Sequence, residues 1–270
     1  MNITFIGGGN MASAIIGGLL KKGYAANTLR VVEIDAAARR RLAQQYAVTT
    51  FERVNAAAAA ADCLVLAVKP QNMREVATAL RPHLKQQLVI SIAAGIRGVD
   101  LARWLGGHAR LVRAMPNTPA LVGAGCTGLF ALPGVTAEDF ARSEAILGAV
   151  GVTLRVDSEV QLDAITAVSG SGPAYVFYFI EALQQAALDL GLAPAAARSL
   201  ALDTFAGAVK LATQSAEDAA TLRARVTSKG GTTAAALASM QSDGIKDAIV
   251  RAVKAADARS REMGEELGKD

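Results

Sequence analysis

The sequence predicts an α/β fold in which a doubly wound parallel sheet is followed by an all-helical domain. Three observations lead to this prediction. Short apolar, partly β-branched segments alternate with helical patterns through the first half of the 270-residue chain. A glycine-rich turn follows the first of these segments. After residue 157 the strand-like segments nearly cease, and long helical patterns take their place.

The first half supplies the predicted strands. Between most of them lie helical patterns, the first from about Asn10 to Lys22 and the second over residues 36–46. Strands joined by helical crossovers lie parallel in one sheet. The predicted strands are NITFI (2–6), LRVVEI (29–34), CLVLAV (63–68), LVISIA (88–93), ARLVRAM (109–115) and VGVTLRVD (150–157).

The second half contains three long helical patterns. Pro173 and Pro194 suit the first turn of a helix, and Gly191 suits a helix C-terminus. We therefore predict two domains, a sheet domain over residues 1–157 and a helical domain over residues 158–270. The helical patterns cover roughly residues 173–190, 194–215 and 244–267.

Composition limits the class of protein. The chain is 52% hydrophobic and 19% charged, which is typical of a globular protein with a large core. Its net charge of +4 comes without a clustered basic tract, so no nucleic-acid partner is predicted. No apolar run approaches the roughly 20 residues of a membrane span, and the N-terminus lacks the pattern of a secretory signal. Cys63 and Cys126 lie in apolar runs, which predicts small buried side chains, no metal site and a cytoplasmic location.

The glycine-rich turn predicts a dinucleotide-binding site of the Rossmann type. The pattern G-x-G-x-x-A follows a strand and begins a helix, so the backbone approaches a pyrophosphate closely and helix N-terminal amides face it. Ala12 allows the helix to pack closely on the sheet. The residues predicted to contact the cofactor here are Ile6, Gly7, Gly8, Gly9, Asn10, Met11 and Ala12.

Glu33 bears on the choice between NADH and NADPH. It lies 21 residues after Ala12, where an acidic side chain binds the ribose hydroxyls of NAD and repels a 2′-phosphate. Three arginines, residues 39–41, follow in the next helix and either bind a 2′-phosphate or solvate the helix surface. The cofactor is therefore NADPH or NADH, with Glu33 favouring NADH or dual use.

Together with that turn, four later segments make the sequence resemble the pyrroline-5-carboxylate reductase family, which catalyses the last step of proline biosynthesis. They occur in the order and spacing of the family over nearly the whole chain, and the last two are the most specific. The five segments are FIGGGNMA (5–12), LAVKPQ (66–71), RAMPNTP (113–119), AVSGSGPAYVFYFIEAL (167–183) and VTSKGGTT (226–233).

The resemblance implies an N-terminal Rossmann domain, a C-terminal helical domain that forms a dimer, frequent higher assemblies of dimers, and a substrate pocket completed across the dimer. Asn55 is implied to contact the adenosine end of the cofactor. Two residues depart from the family pattern: Glu33 replaces a small or neutral residue of many members, and Lys229 replaces a common proline. The residues implied to line the nicotinamide side are Ala67, Val68, Lys69, Pro70, Ala93 and Ala94.

The segment TSKGGTT (227–233) is predicted to bind the substrate. Gly230 and Gly231 let the backbone turn its amides inward, and the two threonines open a helix whose N-terminal end attracts an anion. Taken alone, the segment is better explained as a capped helix start without a ligand. The resemblance favours a binding loop in which Ser228, Gly231 and Thr232 hold the carboxylate of 1-pyrroline-5-carboxylate and Thr233 lies near its ring nitrogen.

The loop contains no strong acid, which suits an imine substrate. An imine can be protonated before hydride arrives, so its N–H needs only a hydroxyl to orient it, and Thr233 is the predicted catalytic residue. His83 and His108, the two histidines, have no carboxylate or hydroxyl neighbour in sequence that would indicate a proton relay.

Two alternatives remain at this point. A β-hydroxyacid dehydrogenase-like enzyme shares the Rossmann start and uses a catalytic lysine, for which Lys210 is the candidate, although the expected glycine and asparagine around it are missing. A non-enzymatic dinucleotide sensor would dimerise through its helical half, but it would have no use for the TSKGGTT segment.

Overall fold

The computed structural model describes residues 1–269. The strands in this range are β1 (Ile3–Ile6), β2 (Leu29–Val32), β3 (Thr49–Phe51), β4 (Cys63–Leu66), β5 (Leu88–Ser91), β6 (Leu111–Met115), β7 (Gly125–Ala131) and β8 (Gly151–Arg155). The α-helices are α1 (Asn10–Lys21), α2 (Ala36–Tyr46), α3 (Ala56–Ala59), α4 (Met73–Leu80), α5 (Gly98–Trp104), α6 (Ala137–Leu147), α7 (Gln161–Ile165), α8 (Gly172–Asp189), α9 (Pro194–Gln214), α10 (Ala219–Arg225), α11 (Thr232–Ser242) and α12 (Ile245–Leu267).

The strands form one sheet in the order β3-β2-β1-β4-β5-β6-β7-β8. Strands β1 to β6 are parallel, which confirms the predicted doubly wound arrangement. β7 pairs antiparallel with β6, and β8 pairs parallel with β7. The connection of nine residues between β6 and β7 is too short for a helical crossover, so the chain reverses direction there.

The core lies on both faces of the sheet. Alternate residues of a strand point to opposite faces, and β1 illustrates this: Ile3 and Phe5 belong to one apolar cluster and Ile6 to the other. Thr4, also buried, donates its hydroxyl to the carbonyl of Ala58 at 2.7 Å. β1, β4 and β5 are buried along their whole length because helices cover both faces.

The predicted strands all occur, with ends that differ by a few residues. β3 and β7 were not predicted. β3 has only three residues, and β7 (GCTGLFA) contains two glycines that weaken the strand pattern. In the second half, α8, α9 and α12 agree closely with the three long predicted helices. α11 begins at Thr232, where the TSKGGTT segment predicts a helix start, and α10 is an additional short helix.

The described chain forms two compact units, one of residues 1–171 and 256–269 and the other of residues 172–255. The sequence instead predicts a division between residues 157 and 158. The difference has two causes. α7 contacts β6 and β7, which keeps residues 161–165 with the sheet. The end of α12 also packs on the sheet unit, where Ser260 donates its hydroxyl to Asp163 at 2.7 Å.

The second unit exposes much apolar surface. α8 and α9 pack against each other, yet no residue of α8 is buried in the described chain. Phe177 and Tyr178 are 59% and 71% exposed, and Leu190, just after α8, is 83% exposed. Monomeric proteins rarely expose apolar surface on this scale, which indicates that other protein covers it.

Candidate active site

The carboxyl ends of the parallel strands bring three loops together. In this strand order β1 and β4 are neighbours, and the connections from them lead to opposite sides of the sheet, which is where doubly wound folds bind ligands. The loop after β4 is joined to β1 by a hydrogen bond of 2.8 Å from Ala67 N–H to the Ile6 carbonyl. The loop after β5 is joined to β4 by a hydrogen bond of 3.1 Å from Ile92 N–H to the Leu66 carbonyl. The predicted cofactor residues of β1, β4 and β5 therefore lie along one edge.

Gly7 makes the first turn possible. Its φ of +101° suits glycine, and a Cβ there would lie 2.6 Å from the carbonyl oxygen of Ala67. Its N–H donates to the Val32 carbonyl at 2.8 Å, so the turn is fixed between the ends of β2 and β4. Ala12 is buried against the sheet, as its predicted packing role requires.

The beginning of α1 leaves room for a phosphate group. A Cβ at Gly9 would have open space around it within the described chain, apart from its chain neighbours. Gly9 precedes α1 without a side-chain cap among the described residues, and the helical bonds begin with Ser13 N–H to the Gly9 carbonyl at 2.9 Å. The amides of Asn10, Met11 and Ala12 therefore face the helix N-terminus, and this geometry fits a diphosphate.

Glu33 lies directly beside the glycine-rich turn. Its Oε2 accepts a hydrogen bond from Gly8 N–H and its Oε1 accepts one from Asp35 N–H, both at 2.9 Å. A Cβ on Gly8 would lie 3.2 Å from the same Oε2. The carboxylate is thus fixed where the sequence predicts contact with the ribose of the cofactor.

The three arginines of α2 have different environments. Arg39 donates to the backbone carbonyls of Glu33 and Ile34 at 2.7 and 2.8 Å, and its side chain is only 20% exposed. Arg40 and Arg41 are exposed. Arg39 therefore stabilises the end of β2, and the other two remain accessible to solvent.

The remaining predicted cofactor residues occupy the loops after β3, β4 and β5. Asn55, four residues after β3, accepts a hydrogen bond from Ala58 N–H at 2.8 Å and so begins α3. Val68 is half-buried and Lys69 exposed, and Pro70 starts a short 3₁₀ turn. In the loop after β5, Ala93 is buried and Ala94 half-buried.

The predicted substrate loop lies in the helical unit, before α11. Gly231 N–H donates to the Ser228 carbonyl at 3.1 Å, and Gly230 has a φ of +72° that lets the loop turn. A Cβ on Gly231 would clash with the Ser228 hydroxyl. The loop thus brings Ser228 to the beginning of the helix.

The N-terminus of α11 has no side-chain cap within the described residues. Its helical bonds begin with Ala235 N–H to the Gly231 carbonyl at 3.1 Å, so the amides of Thr232, Thr233 and Ala234 point out of the helix. Ser228 is exposed and Thr233 half-buried. Such a helix end attracts a carboxylate.

The histidines lie away from the cofactor loops of the sheet. His83 and His108 precede β5 and β6, at the amino ends of the strands, opposite the glycine-rich turn. His108 Nε2 is 2.8 Å from the Gln87 carbonyl, and burial lowers the pKa of His108. In residues 1–269 no cluster of His, Cys, Asp or Glu could hold a metal ion.

The prediction of buried thiols is confirmed for Cys63 and only in part for Cys126. Cys63 is fully buried in β4, and burial raises the pKa of its thiol, while Cys126 is half-buried. None of the helices described is long and apolar enough to cross a membrane.

Two contacts near the site were not predicted. Asn117 donates its amide to the carbonyl of Ser169 at 3.1 Å, and its Oδ1 accepts from Cys126 N–H at 2.8 Å, which joins the MPNTP and SGSGP segments. Arg113, in β6, is paired with Glu159 at 2.6 Å. An arginine within the apolar run ARLVRAM is a signal of a buried charged partner, but nothing in the sequence indicates which residue that partner is.

This arrangement defines the class of protein. A glycine-rich turn where the strand order reverses, an uncapped helix behind it and an acidic side chain at the end of the neighbouring strand are the features of a nicotinamide-dinucleotide-dependent oxidoreductase. Residues 2–95 match a family described as NADP oxidoreductase, coenzyme F420-dependent. Residues 159–263 match the family of pyrroline-5-carboxylate reductase dimerisation domains.

The chain is 46% identical over 267 residues to the pyrroline-5-carboxylate reductase of Pseudomonas aeruginosa, which covers 98% of both chains. The solved structure of a pyrroline-5-carboxylate reductase from Coxiella burnetii has a TM-score of 0.91 and 42% identity, covering 97% of this chain and 98% of that one. The Plasmodium falciparum pyrroline carboxylate reductase, solved with NADP bound, has a TM-score of 0.88 and 30% identity, covering 98% of each.

The chain therefore belongs to the pyrroline-5-carboxylate reductase family, and it is an NAD(P)H-dependent oxidoreductase. This confirms the fold class, the family and the cofactor class predicted from the sequence. It also decides against the β-hydroxyacid dehydrogenase and the non-enzymatic sensor. The dimerisation domain shows that the chain self-associates.

Proposed function

We propose that this chain reduces the C=N bond of 1-pyrroline-5-carboxylate to give L-proline, with the glycine-rich turn holding NADPH or NADH and the TSKGGTT loop holding the substrate. One observation carries the substrate assignment. α11 begins without a side-chain cap in the described chain, and its free amides follow a loop that places Ser228 beside them. In a chain of this family, the group that fits such a helix end is the carboxylate of the substrate.

The cofactor residues are proposed in the same way. The amides of Asn10, Met11 and Ala12 hold the diphosphate, Glu33 contacts the adenosine ribose, and Asn55 contributes at the adenosine end. The nicotinamide side is lined by Ala67, Val68, Lys69, Pro70, Ala93 and Ala94. When bound, the reduced cofactor supplies the hydride that reaches the imine carbon.

Ser228, Gly231 and Thr232 bind the substrate carboxylate, and this contact orients the ring. Thr233 accepts a hydrogen bond from the protonated ring nitrogen and keeps the C=N bond in line for hydride attack. The nitrogen takes its proton from solvent before reduction, so the electron pair of the C=N bond ends on a nitrogen that is already protonated. No residue of the loop has to release a proton, which agrees with a segment that contains no acidic side chain.

We infer that two copies pair through the helical unit, covering the aromatic side chains of α8, and that higher assemblies form from such dimers. We also infer a cytoplasmic location. Cys63 and Cys126 are both free thiols, which fits a reducing compartment.

The test is a steady-state assay of 1-pyrroline-5-carboxylate reduction by the purified chain, with NADPH and NADH in parallel. We expect the absorbance of the reduced nicotinamide to fall and L-proline to accumulate in equal amount. Folded protein that binds a cofactor but consumes neither one would overturn the proposal.

A further inference from the structure

Arg113 is a buried arginine whose ion pair has no role in the reaction outlined above. Arg113 lies in the middle of β6 and is 8% exposed. Its Nη1 donates to Oε1 of Glu159 at 2.6 Å. A buried guanidinium needs such a partner because an unpaired charge inside a protein is costly.

Glu159 has a second partner. The same Oε1 accepts the backbone N–H of Gly98, the first residue of α5, also at 2.6 Å. A Cβ on Gly98 would lie 2.5 Å from Cδ1 of Leu132 and 3.3 Å from this Oε1, so a side chain at this position would have to displace Leu132 and crowd the carboxylate. The carboxylate thus joins β6 to the end of the loop that connects β5 and α5.

That loop, residues 92–97, contains Ala93 and Ala94, the proposed nicotinamide contacts. The end of α12 also packs on this loop, where a Cβ on Gly95 would lie 3.1 Å from Cδ1 of Leu267. The loop therefore has two supports. The position of Ala93 and Ala94, which form the wall proposed to contact the nicotinamide, depends on both supports.

The two supports differ in strength. Arg97 and Glu265 form a 3.6 Å ion pair between the loop and α12, but the two side chains are 42% and 67% exposed, and exposed pairs contribute little. The side chains of Arg113 and Glu159 are only 9% and 26% exposed, and both hydrogen bonds to Glu159 are short and charge-assisted. Glu159 is the stronger anchor.

We propose that Glu159 and Arg113 are positioning residues for hydride transfer, which set the wall of the site against which the nicotinamide ring lies. The proposal rests on the proposed function, because it takes Ala93 and Ala94 as nicotinamide contacts. The proposed role of the Glu159–Arg113 pair is limited to the nicotinamide end of the cofactor. Other residues hold the glycine-rich turn, the diphosphate and the adenosine end, so loss of the pair should weaken binding of the nicotinamide end alone.

The experiment compares two ligands that differ only at that end. NADH and ADP-ribose share the adenosine and diphosphate groups, and ADP-ribose lacks the nicotinamide. In the Glu159→Ala enzyme we expect the Kd of NADH to rise about tenfold and that of ADP-ribose to stay within about twofold, with kcat falling about tenfold or more. Glu159→Gln keeps an oxygen for Gly98 and should recover most of the loss.

Asp139→Ala is the matched control. Arg110 immediately precedes β6, and its Nη2 is 2.7 Å from Oδ1 of its carboxylate partner, Asp139. Removal of Asp139 also leaves an arginine without its partner, but far from the cofactor loops. We expect it to lower stability while leaving the ratio of the two Kd values unchanged.

Equal weakening of NADH and ADP-ribose in Glu159→Ala, or no weakening of either, would overturn the proposal. If that variant does not fold, Gly98→Ala crowds the carboxylate with a methyl group 3.3 Å from Oε1 without removing the charge pair, and it should change the same ratio in the same direction. Both readouts are binding measurements. A wild type that binds NADH and ADP-ribose but reduces no imine would refute the proposed function and not this inference.

Discussion

Glu33 and Gly8, 25 residues apart, are joined by a hydrogen bond of 2.9 Å from the backbone N–H of the glycine-rich turn to the carboxylate. A second bond from Asp35 N–H holds the other carboxylate oxygen. The negative charge is therefore fixed beside the turn. A 2′-phosphate on the adenosine ribose would have to approach it.

Glu33→Ser is expected to shift the enzyme towards NADPH. Removing the carboxylate relieves the repulsion of the 2′-phosphate and removes the acceptor for the ribose hydroxyls of NADH. We expect the ratio of kcat/KM for NADPH to kcat/KM for NADH to rise about 10- to 100-fold. Steady-state kinetics with both cofactors measures it.

Glu52→Gln is the control for this change. Glu52 is also a carboxylate near the end of β2, 4.0 Å from Arg39, but its side chain is 77% exposed. Its loss should leave the cofactor ratio within about twofold. A Glu33→Ser enzyme with the wild-type ratio would show that Glu33 does not select the cofactor.

Thr233→Ala is expected to reduce kcat by about 10- to 100-fold, less than loss of a true general acid, because the hydroxyl orients an N–H and transfers no proton. Cofactor affinity should not change, and Thr233→Ser should restore most of the rate. Thr213→Ala, which removes an exposed hydroxyl bonded to the Lys210 carbonyl in α9, is the control. Wild-type turnover in Thr233→Ala would remove Thr233 from the mechanism.

The site residues that the sequence predicted are those whose signal is local. The turn Gly7–Ala12, the acidic residue at the end of β2 and the start of α11 each depend on the spacing within a few residues, and the structure places each at the end of its strand or helix. Their roles with ligands stay predictions.

The contacts that were missed join distant parts of the chain. Arg113 and Glu159 are 46 residues apart, and Asn117 and Ser169 are 52 apart. Side-chain pairing at such distances is decided by the packing of the whole sheet, which local periodicity does not report. The antiparallel β7 was missed for a related reason, since its pairing with β6 compensates for a weak strand pattern.

Phe177→Asp and Tyr178→Asp, made singly, are expected to weaken self-association. Both aromatic side chains of α8 are largely exposed in the single chain. A charge in place of an aromatic side chain at an interface raises the dissociation constant by about 30-fold or more. Analytical ultracentrifugation over a dilution series measures this.

Val99→Asp provides the comparison, because Val99 is 66% exposed but lies in the sheet unit. It should leave association through the helical unit unchanged. If neither α8 variant changes the association while both remain folded, α8 does not contribute to the dimer.

The ion pair of Arg110 and Asp139 makes the stability of the fold depend on pH in the acid range. Two hydrogen bonds from the guanidinium, at 2.7 and 3.0 Å, hold the pKa of Asp139 below its ordinary value of 3.8. A carboxyl whose pKa is lower in the folded chain stabilises the fold fully above its unfolded pKa. That contribution is lost as pH falls through the folded pKa.

Asp139→Asn is therefore expected to destabilise the protein most at neutral pH and progressively less in acid. At neutral pH the loss of the charged acceptor should lower the free energy of unfolding by about 1–3 kcal/mol. As the pH falls below the ordinary value of 3.8 and through the lowered pKa of the folded state, the wild type loses its advantage because its own Asp139 becomes protonated, so the difference between the two curves shrinks. Denaturant unfolding at equal protein concentration measures both curves. A difference that stays constant down to the acid limit would mean that Asp139 is not the group that titrates.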